Sequence, residues 1–300
     1  MIISASRRTD IPAFYSEWFL NRIREGYLMV RNPMNIHQVS KISLSPENVD
    51  CIVFWTKNPK PMLDKLSELN NYKYYFQFTL TSYDKSIEPN VPEKKYLINT
   101  FRELSNLIGK EKVIWRYDPI LTTDKFNVDY HVKWFEVLAK KLSGYTQRCV
   151  ISFIDLYKKT ERNLKGINLV PISIETMHEI ACNFSLIASG YNISIETCSE
   201  DIDFSKYNIK HGKCIDDELI SRITGKRLIS RKDPNQRSAC GCIKAIDIGA
   251  YDTCKHNCIY CYANINRNVV MKNTQLHNVK SPLLYGQLNE KDKIYERWNS

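Results

Sequence analysis

Along residues 2–198, short apolar runs alternate with amphipathic stretches of helical period. This rhythm constrains the fold more than any other feature of the chain. The runs at 2–6, 50–55, 74–80, 113–115, 150–153 and 193–195 are short, almost continuously apolar and bounded by polar residues, as strands buried on both faces are. Between them, residues 15–25, 60–70, 94–108, 128–142 and 174–189 repeat apolar side chains three and four positions apart, as Leu97, Phe101, Leu104 and Ile108 do. Gly26, Gly109 and Gly190 stand where three of these helices would stop. Strands separated by such helices pair in parallel through right-handed crossovers. The expected fold class is α/β, and the repeated units fit a partial (β/α)6-type TIM barrel.

The strand ends carry a second regularity. Arg7, Arg8, Thr9 and Asp10 follow the first run, and Thr56 and Lys57 the second. Thr79-Leu80-Thr81, Arg116-Tyr117-Asp118-Pro119, Asp155 and Glu196-Thr197-Cys198 follow in turn. In a parallel barrel these residues share one mouth, where active sites are built. One polar exit is an ordinary solvated loop, whereas recurrence over consecutive strands points to function. Arg7, Arg8, Arg116, Asp118, Asp155 and Glu196 are therefore candidate substrate contacts, and scaffold ion pairs would explain some of them equally well.

Residues 199–242 break the rhythm, with only a short helix expected over 216–224. The apolar run at 243–250 then restores it and leads into a loop bearing Cys254, Cys258 and Cys261 in the spacing C-x₃-C-x₂-C. The expected organisation is a barrel over 1–198, an irregular cysteine-containing insertion over 199–242, and a strand, cysteine loop and tail over 243–300 that complete the same barrel. Three thiolates on a short loop can bind three irons of a cubane cluster and leave the fourth open to a small molecule. The competing reading is a zinc knuckle whose fourth ligand is His256 or a distant cysteine. An electron carrier normally has every iron ligated by protein, which three clustered cysteines do not provide.

The chain has ten cysteines in 300 residues. Cys198, Cys214, Cys240 and Cys242 fall at or after the last strand exit, and together they can hold a second iron–sulfur cluster or a zinc ion. Alternatively, Cys198 donates a hydrogen atom to a substrate radical. Cys51, Cys149 and Cys182 lie in apolar contexts suited to core packing. The N-terminus lacks the charged-then-apolar order of a signal peptide, and no apolar run approaches a membrane span. Many cysteines without that signal lead us to expect a reducing cytoplasm. The net charge of +10 suits nucleic acid or another polyanion, and equally a solvated basic surface. The densest basic stretch, Lys226 to Arg237, has no aromatic residue for base stacking.

The cysteine spacing, with Tyr260 just before the last cysteine, resembles the cluster loop of the radical S-adenosylmethionine superfamily. The whole chain also looks like a domain-of-unknown-function family that carries these cysteines near its C-terminus. Read in rotated order, it resembles the spore photoproduct lyase-like branch. Thr9-Asp10, Thr56-Lys57, Thr79-Leu80-Thr81 and Arg116-Tyr117-Asp118-Pro119 follow that branch's order, with the cluster loop last instead of first. The resemblance implies a circularly permuted barrel and a 4Fe–4S cluster on Cys254, Cys258 and Cys261 that cleaves S-adenosylmethionine to a 5′-deoxyadenosyl radical. It places Thr9 and Asp10 at the cofactor's amino group, Lys57 and Thr79 at its carboxylate, and Tyr260 beside its adenine. Cys198, Arg116 and Asp118 become candidate catalytic residues, acting on a substrate the sequence does not name. An electron donor such as flavodoxin or ferredoxin is implied as well. A metal-stabilised nucleic-acid-binding module without catalysis is the alternative.

Overall fold

The computed structural model describes residues 1–156, 158–228 and 231–297. Eight strands form one parallel sheet: β1 (Ile2–Ala5), β2 (Cys51–Thr56), β3 (Tyr74–Thr79), β4 (Val113–Ile120), β5 (Arg148–Phe153), β6 (Ser194–Thr197), β7 (Lys210–His211) and β8 (Ile246–Asp247). Their order is β7-β6-β5-β4-β3-β2-β1-β8, so consecutive strands are neighbours and the last strand lies beside the first. Ile3 pairs with Ile52 on one side and Ile246 on the other. β7 and β8 are the two edges, and among the described residues no pairing joins them. The sheet is open.

Side chains alternate between the faces, and both faces are covered. On one, Ile3, Phe54, Phe76, Trp115 and Ile151 pack with Phe19, Phe101, Phe135 and Phe184 from the helices. Phe135 stacks on Phe184 at 3.8 Å and on Trp115 at 4.9 Å. The helices supplying that layer are α1 (Ser16–Glu25), α2 (Lys94–Ile108), α3 (Val128–Leu142) and α4 (Ile174–Gly190). On the other face, Ile2, Cys51, Val53, Tyr75, Ile114 and Val150 meet Ile215, Leu219, Ile220 and Ile243. Burial on both faces is why the strand runs read as continuously apolar.

The expected helices 94–108 and 128–142 match α2 and α3. Gly26 closes α1 in the left-handed region at φ 75°, which a glycine adopts without a Cβ clash. Four expectations need correction. The stretch 60–70 is not one helix: it breaks near Lys65 into an α-helical turn, Lys60–Leu63, and a 3₁₀ turn, Leu66–Leu69, with Met62, Leu63, Leu66 and Leu69 all buried. Gly190 is the last residue of α4, and Tyr191 caps it. The strand expected at 243–250 pairs only over Ile246–Asp247, because Ile243 N instead donates to Ile215 O on the second face. Within residues 199–242 the short helix expected over 216–224 is present as Asp217–Thr224, its cap Asp216 accepting from Glu218 N and Leu219 N, whereas the strand β7 was not expected.

A second sheet was not expected from the sequence. Tyr27–Asn32 and Asn35–Ser43 form an antiparallel ribbon, joined by Lys293–Arg297. Its strands are largely exposed at one end, so they lack a sustained alternation of apolar and polar residues. Among the described residues no helix is long and apolar enough to cross a membrane.

Candidate functional site

The C-terminal ends of the strands open on a cleft of about 1070 Å³. Thr9, Asp10, Lys57, Thr79, Arg116 and Asp118 line it, as do Cys254, Cys258, Tyr260 and Cys261. Cys198, Cys214, Cys240 and Cys242 line another part of it. The side-chain atoms Arg7 Nη2, Thr9 Oγ1, Ser199 Oγ and His256 Nδ1 are buried without a hydrogen-bond partner, and all four residues belong to the cleft. Buried polar atoms are rarely left unsatisfied in folded proteins, so these four leave unspent hydrogen-bonding capacity at the cleft.

The loop after β8 is tied to the sheet from several sides. Tyr15 donates its hydroxyl to Thr253 O at 2.6 Å, and Asn90 Nδ2 donates to Lys255 O at 2.8 Å. Asn264 Nδ2 donates to Cys254 O at 2.8 Å, while Cys261 N donates to Cys258 O at 3.1 Å. Asp252 and Asn257 turn the chain at φ 57° and 54°, a region asparagine and aspartate tolerate. Asp10 is the main anchor. Its carboxylate caps the turn at Ile11–Phe14 through Ala13 N and accepts from Lys57 N at 2.7 Å. It also pairs with His256 Nε2 at 2.8 Å. One side chain thus joins the exits of β1 and β2 to the cysteine loop. Burial pushes all three thiols up, Cys258 to about 12 against the pull of Lys57. Such buried thiols give up their protons when a cation is bound in exchange.

The Lys57 ammonium is largely buried and lies 2.7 Å from Glu88 Oε1 and 5.5 Å from the Tyr260 ring centre. Glu88, which no sequence signal singles out, is the hub of this corner. It also takes Lys94 Nζ at 2.6 Å, Thr81 Oγ1 at 2.8 Å and Tyr260 OH at 2.5 Å. Burial opposes the charge on Glu88, but Lys57 and Lys94 outweigh it and hold the carboxyl far below the usual range. Burial likewise opposes the charge on Lys57, and Glu88 more than compensates.

A second unanticipated acid joins the first and last strands. Asp247 accepts from Ser4 Oγ at 2.6 Å, Ser6 Oγ at 2.7 Å, Arg7 N at 2.8 Å and Gly249 N at 3.1 Å. A Cβ on Gly249 would lie 2.1 Å from Ser6 Oγ, so the close approach here requires glycine. An acid inside the apolar run 243–250 was the available signal.

The four remaining candidate cysteines, from separate stretches of chain, are brought together. Cys198 Sγ lies 3.2 Å from Cys214 Sγ. Cys214 also contacts Cys242, which in turn bonds Cys240 and, through its sulfur, accepts from Ile215 N at 3.4 Å. The hydrogen bond from Cys242 draws the Cys240 thiol down to about 7. The sulfurs form a string of contacts. Among the described residues, no three His, Cys, Asp or Glu side chains converge as ligands of one ion where they stand. Arg116 donates to Cys214 Sγ at 2.8 Å and forms a two-bond pair with Asp118 at 3.0 and 2.5 Å.

Of the other predicted substrate contacts, Arg7, Arg8 and Asp155 line the cleft, and Asp155 pairs with Arg237. Glu196 does not belong to the cleft. It precedes the strand exit by two residues and pairs there with Arg148 at 3.1 Å, which also holds Asp216 at 2.7 Å. Cys51 and Cys149 are fully buried as expected, whereas Cys182 is only half-buried. The basic stretch 226–237 crosses residues 229 and 230, which lie outside the described residues.

Fold and site together define an α/β protein with an open parallel sheet and a cysteine-lined cleft at its C-terminal edge. The chain belongs to the family described as Domain of unknown function (DUF1848), whose model matches residues 2–263. No curated protein matches it. Among solved structures it is similar to one described as "a putative alpha-L-fucosidase from Bacteroides thetaiotaomicron", at 13% identity and a TM-score of 0.26 over 61% of this chain and 76% of that one. A likeness this slight bears on neither activity nor fold.

Proposed function

We propose that this protein is a radical S-adenosylmethionine enzyme related to the spore photoproduct lyase-like branch. The observation that carries the reading is the meeting of the Cys254–Cys258–Cys261 loop with Thr9, Lys57 and Thr79 at one cleft whose buried polar atoms lack partners. The sheet is read as part of a (β/α) barrel whose termini have been moved. Its strands follow in sequence, and the segment leading to the cysteine loop pairs beside β1. In a barrel those two strands are neighbours, so relocating the termini leaves the mouth intact.

The residues present fit the cofactors. Cys254, Cys258 and Cys261 would hold a 4Fe–4S cluster, and a cleft of about 1070 Å³ accommodates S-adenosylmethionine together with a substrate. The pair, when bound, supplies one-electron cleavage of the sulfonium and a 5′-deoxyadenosyl radical. The chain's own residues bind and orient. Lys57, fixed by Glu88, presents a buried positive charge that suits the cofactor carboxylate. Thr9 Oγ1 and Arg7 Nη2 offer unspent hydrogen-bonding capacity. Asp10 holds the loop through His256 and Lys57 N and retains acceptor capacity for an amino group. Tyr260, pinned by Glu88, sets a ring at the cleft. Arg116 and Asp118, paired to each other, line its substrate side. A small redox protein such as flavodoxin or ferredoxin would deliver the electron.

Anaerobic reconstitution with iron and sulfide, followed by dithionite and S-adenosylmethionine, tests this. The expected products are 5′-deoxyadenosine and methionine, and the Cys254/Cys258/Cys261→Ala variant makes neither. A triple variant that retains an iron–sulfur signal perturbed by S-adenosylmethionine would overturn the assignment, as would a reconstituted wild type that makes no 5′-deoxyadenosine.

A further inference from the structure

Cys198 ends β6, Cys214 follows β7, and Cys240 and Cys242 precede β8, yet their sulfurs form one continuous string. From this we propose that these four cysteines hold a single thiophilic metal ion, zinc, in a tetrahedral site separate from the Cys254–Cys258–Cys261 loop.

Spacing is the first argument. Four thiolates at about 2.3 Å from one zinc stand about 3.8 Å apart at the corners of a tetrahedron. Thiolates on a cubane cluster bind different irons and stand farther apart. The 3.2 Å approach of Cys198 to Cys214 is nearer the single-ion spacing than the wider one of a cubane. To give four bonds the string must close on itself, which requires rotation about the cysteine Cα–Cβ bonds.

Charge is the second argument. Four thiolates around a dication carry a net charge of about −2, which needs nearby cations when buried. Arg116 lies with Nη1 2.8 Å from Cys214 Sγ while its Nε and Nη2 are held by Asp118, so it supplies a directed donor to the sulfur and only part of its charge. Arg7 lines the same cleft, and its Nη2 is buried without a partner. The donation from Ile215 N to Cys242 Sγ at 3.4 Å adds an N–H dipole aimed at a sulfur.

The backbone around the four is firmly placed, as a preorganised site requires. Tyr75 OH and Gln77 Nε2 both donate to Cys214 O, at 2.7 and 2.9 Å. A Cβ on Gly212 would meet Thr197 O at 3.0 Å, so glycine lets the Cys214 segment lie against the end of β6. Full ligation leaves no open position on the ion, which makes its role structural. The ion would staple residues 199–242 onto the inner face of the sheet. Cys198 would then be a ligand and not a hydrogen-atom donor.

This proposal does not rest on the radical reading, and its test uses bound metal instead of turnover. Full-length protein from zinc-supplemented cells, and the Cys254/Cys258/Cys261→Ala variant, should each retain one zinc per chain. Cobalt in its place should show the intense visible bands of a tetrahedral four-thiolate site. Cys242→Ser should lower zinc retention against a chelator by about tenfold or more. If that variant does not fold, alkylation of the wild type with mass mapping serves instead: zinc should protect Cys198, Cys214, Cys240 and Cys242 together. Absence of zinc overturns the proposal. So does iron with sulfide retained by the triple variant, or a Cys198–Cys214 disulfide in protein kept under reductant.

Discussion

The two thiol groups of the cleft are built in opposite ways. Cys254, Cys258 and Cys261 lie within one short loop, and the fold's work is to anchor that loop through Tyr15, Asn90 and Asp10. Cys198, Cys214, Cys240 and Cys242 are scattered along the chain, and the fold's work is to gather them. The first group has its neighbouring cation, Lys57, held by a Glu88 that it shares with Lys94, whereas the second has Arg116, held by Asp118, directly on a sulfur. A local motif can be held by its surroundings without being made by them. A dispersed one exists only once the sheet and its inner layer have formed.

If that contrast is right, the surroundings of the loop should be where single changes cost most. Glu88→Gln removes the counter-charge of buried Lys57 and weakens the hold on Lys94, and it should destabilise the protein by about 3–5 kcal/mol in urea titration. The pH profile sharpens this. The Glu88 carboxyl is held far down in the folded protein by the two lysines, despite its burial. Its contribution is therefore fully present above the ordinary glutamate value of about 4.3 and declines as pH falls below it. The variant should lose that part of the acid sensitivity; an unchanged acid limb would mean Glu88 is not the hub.

The same substitution made beside each group gives a smaller and more direct comparison. Gly249→Ala puts a Cβ 2.1 Å from Ser6 Oγ, at the clamp where Asp247 joins β8 to β1. It should cost about 1–3 kcal/mol and lower the yield of reconstituted cluster on the adjoining loop. Gly241→Ala, between Cys240 and Cys242, meets first the Lys213 Cγ at 3.0 Å, part of a flexible side chain. It should change stability by no more than about 1 kcal/mol and leave metal retention intact. Equal costs at the two positions, read from thermal melts, would break the comparison.

The order of residues alone carries the parallel α/β plan, because strands buried on both faces leave uninterrupted apolar runs and helices leave a period of three to four. It also determined the Cys254–Cys258–Cys261 group, since all its spacing lies along one stretch of chain. Lys57 at the exit of β2 and Asp10 at the exit of β1 were legible for the same reason. What surrounds them follows from contacts between distant segments. Glu88 sits in a loop with no periodicity, and its charge acquires a role only when Lys57, Lys94 and Tyr260 close on it. Ile243 left the expected strand for the inner face because Ile215 offered a carbonyl from a distant segment. Glu196 lay two residues short of the mouth, and in a strand that offset keeps the same face but sets the side chain back by about 6.6 Å, where Arg148 pairs with it. Asp247 was visible as an acid in an apolar run, but three of the four donors that satisfy it, on Ser4, Ser6 and Arg7, come from the far end of the chain. Pairwise contacts across the fold carry no local pattern, and burial, which sets their strength, is a property of the assembled layers.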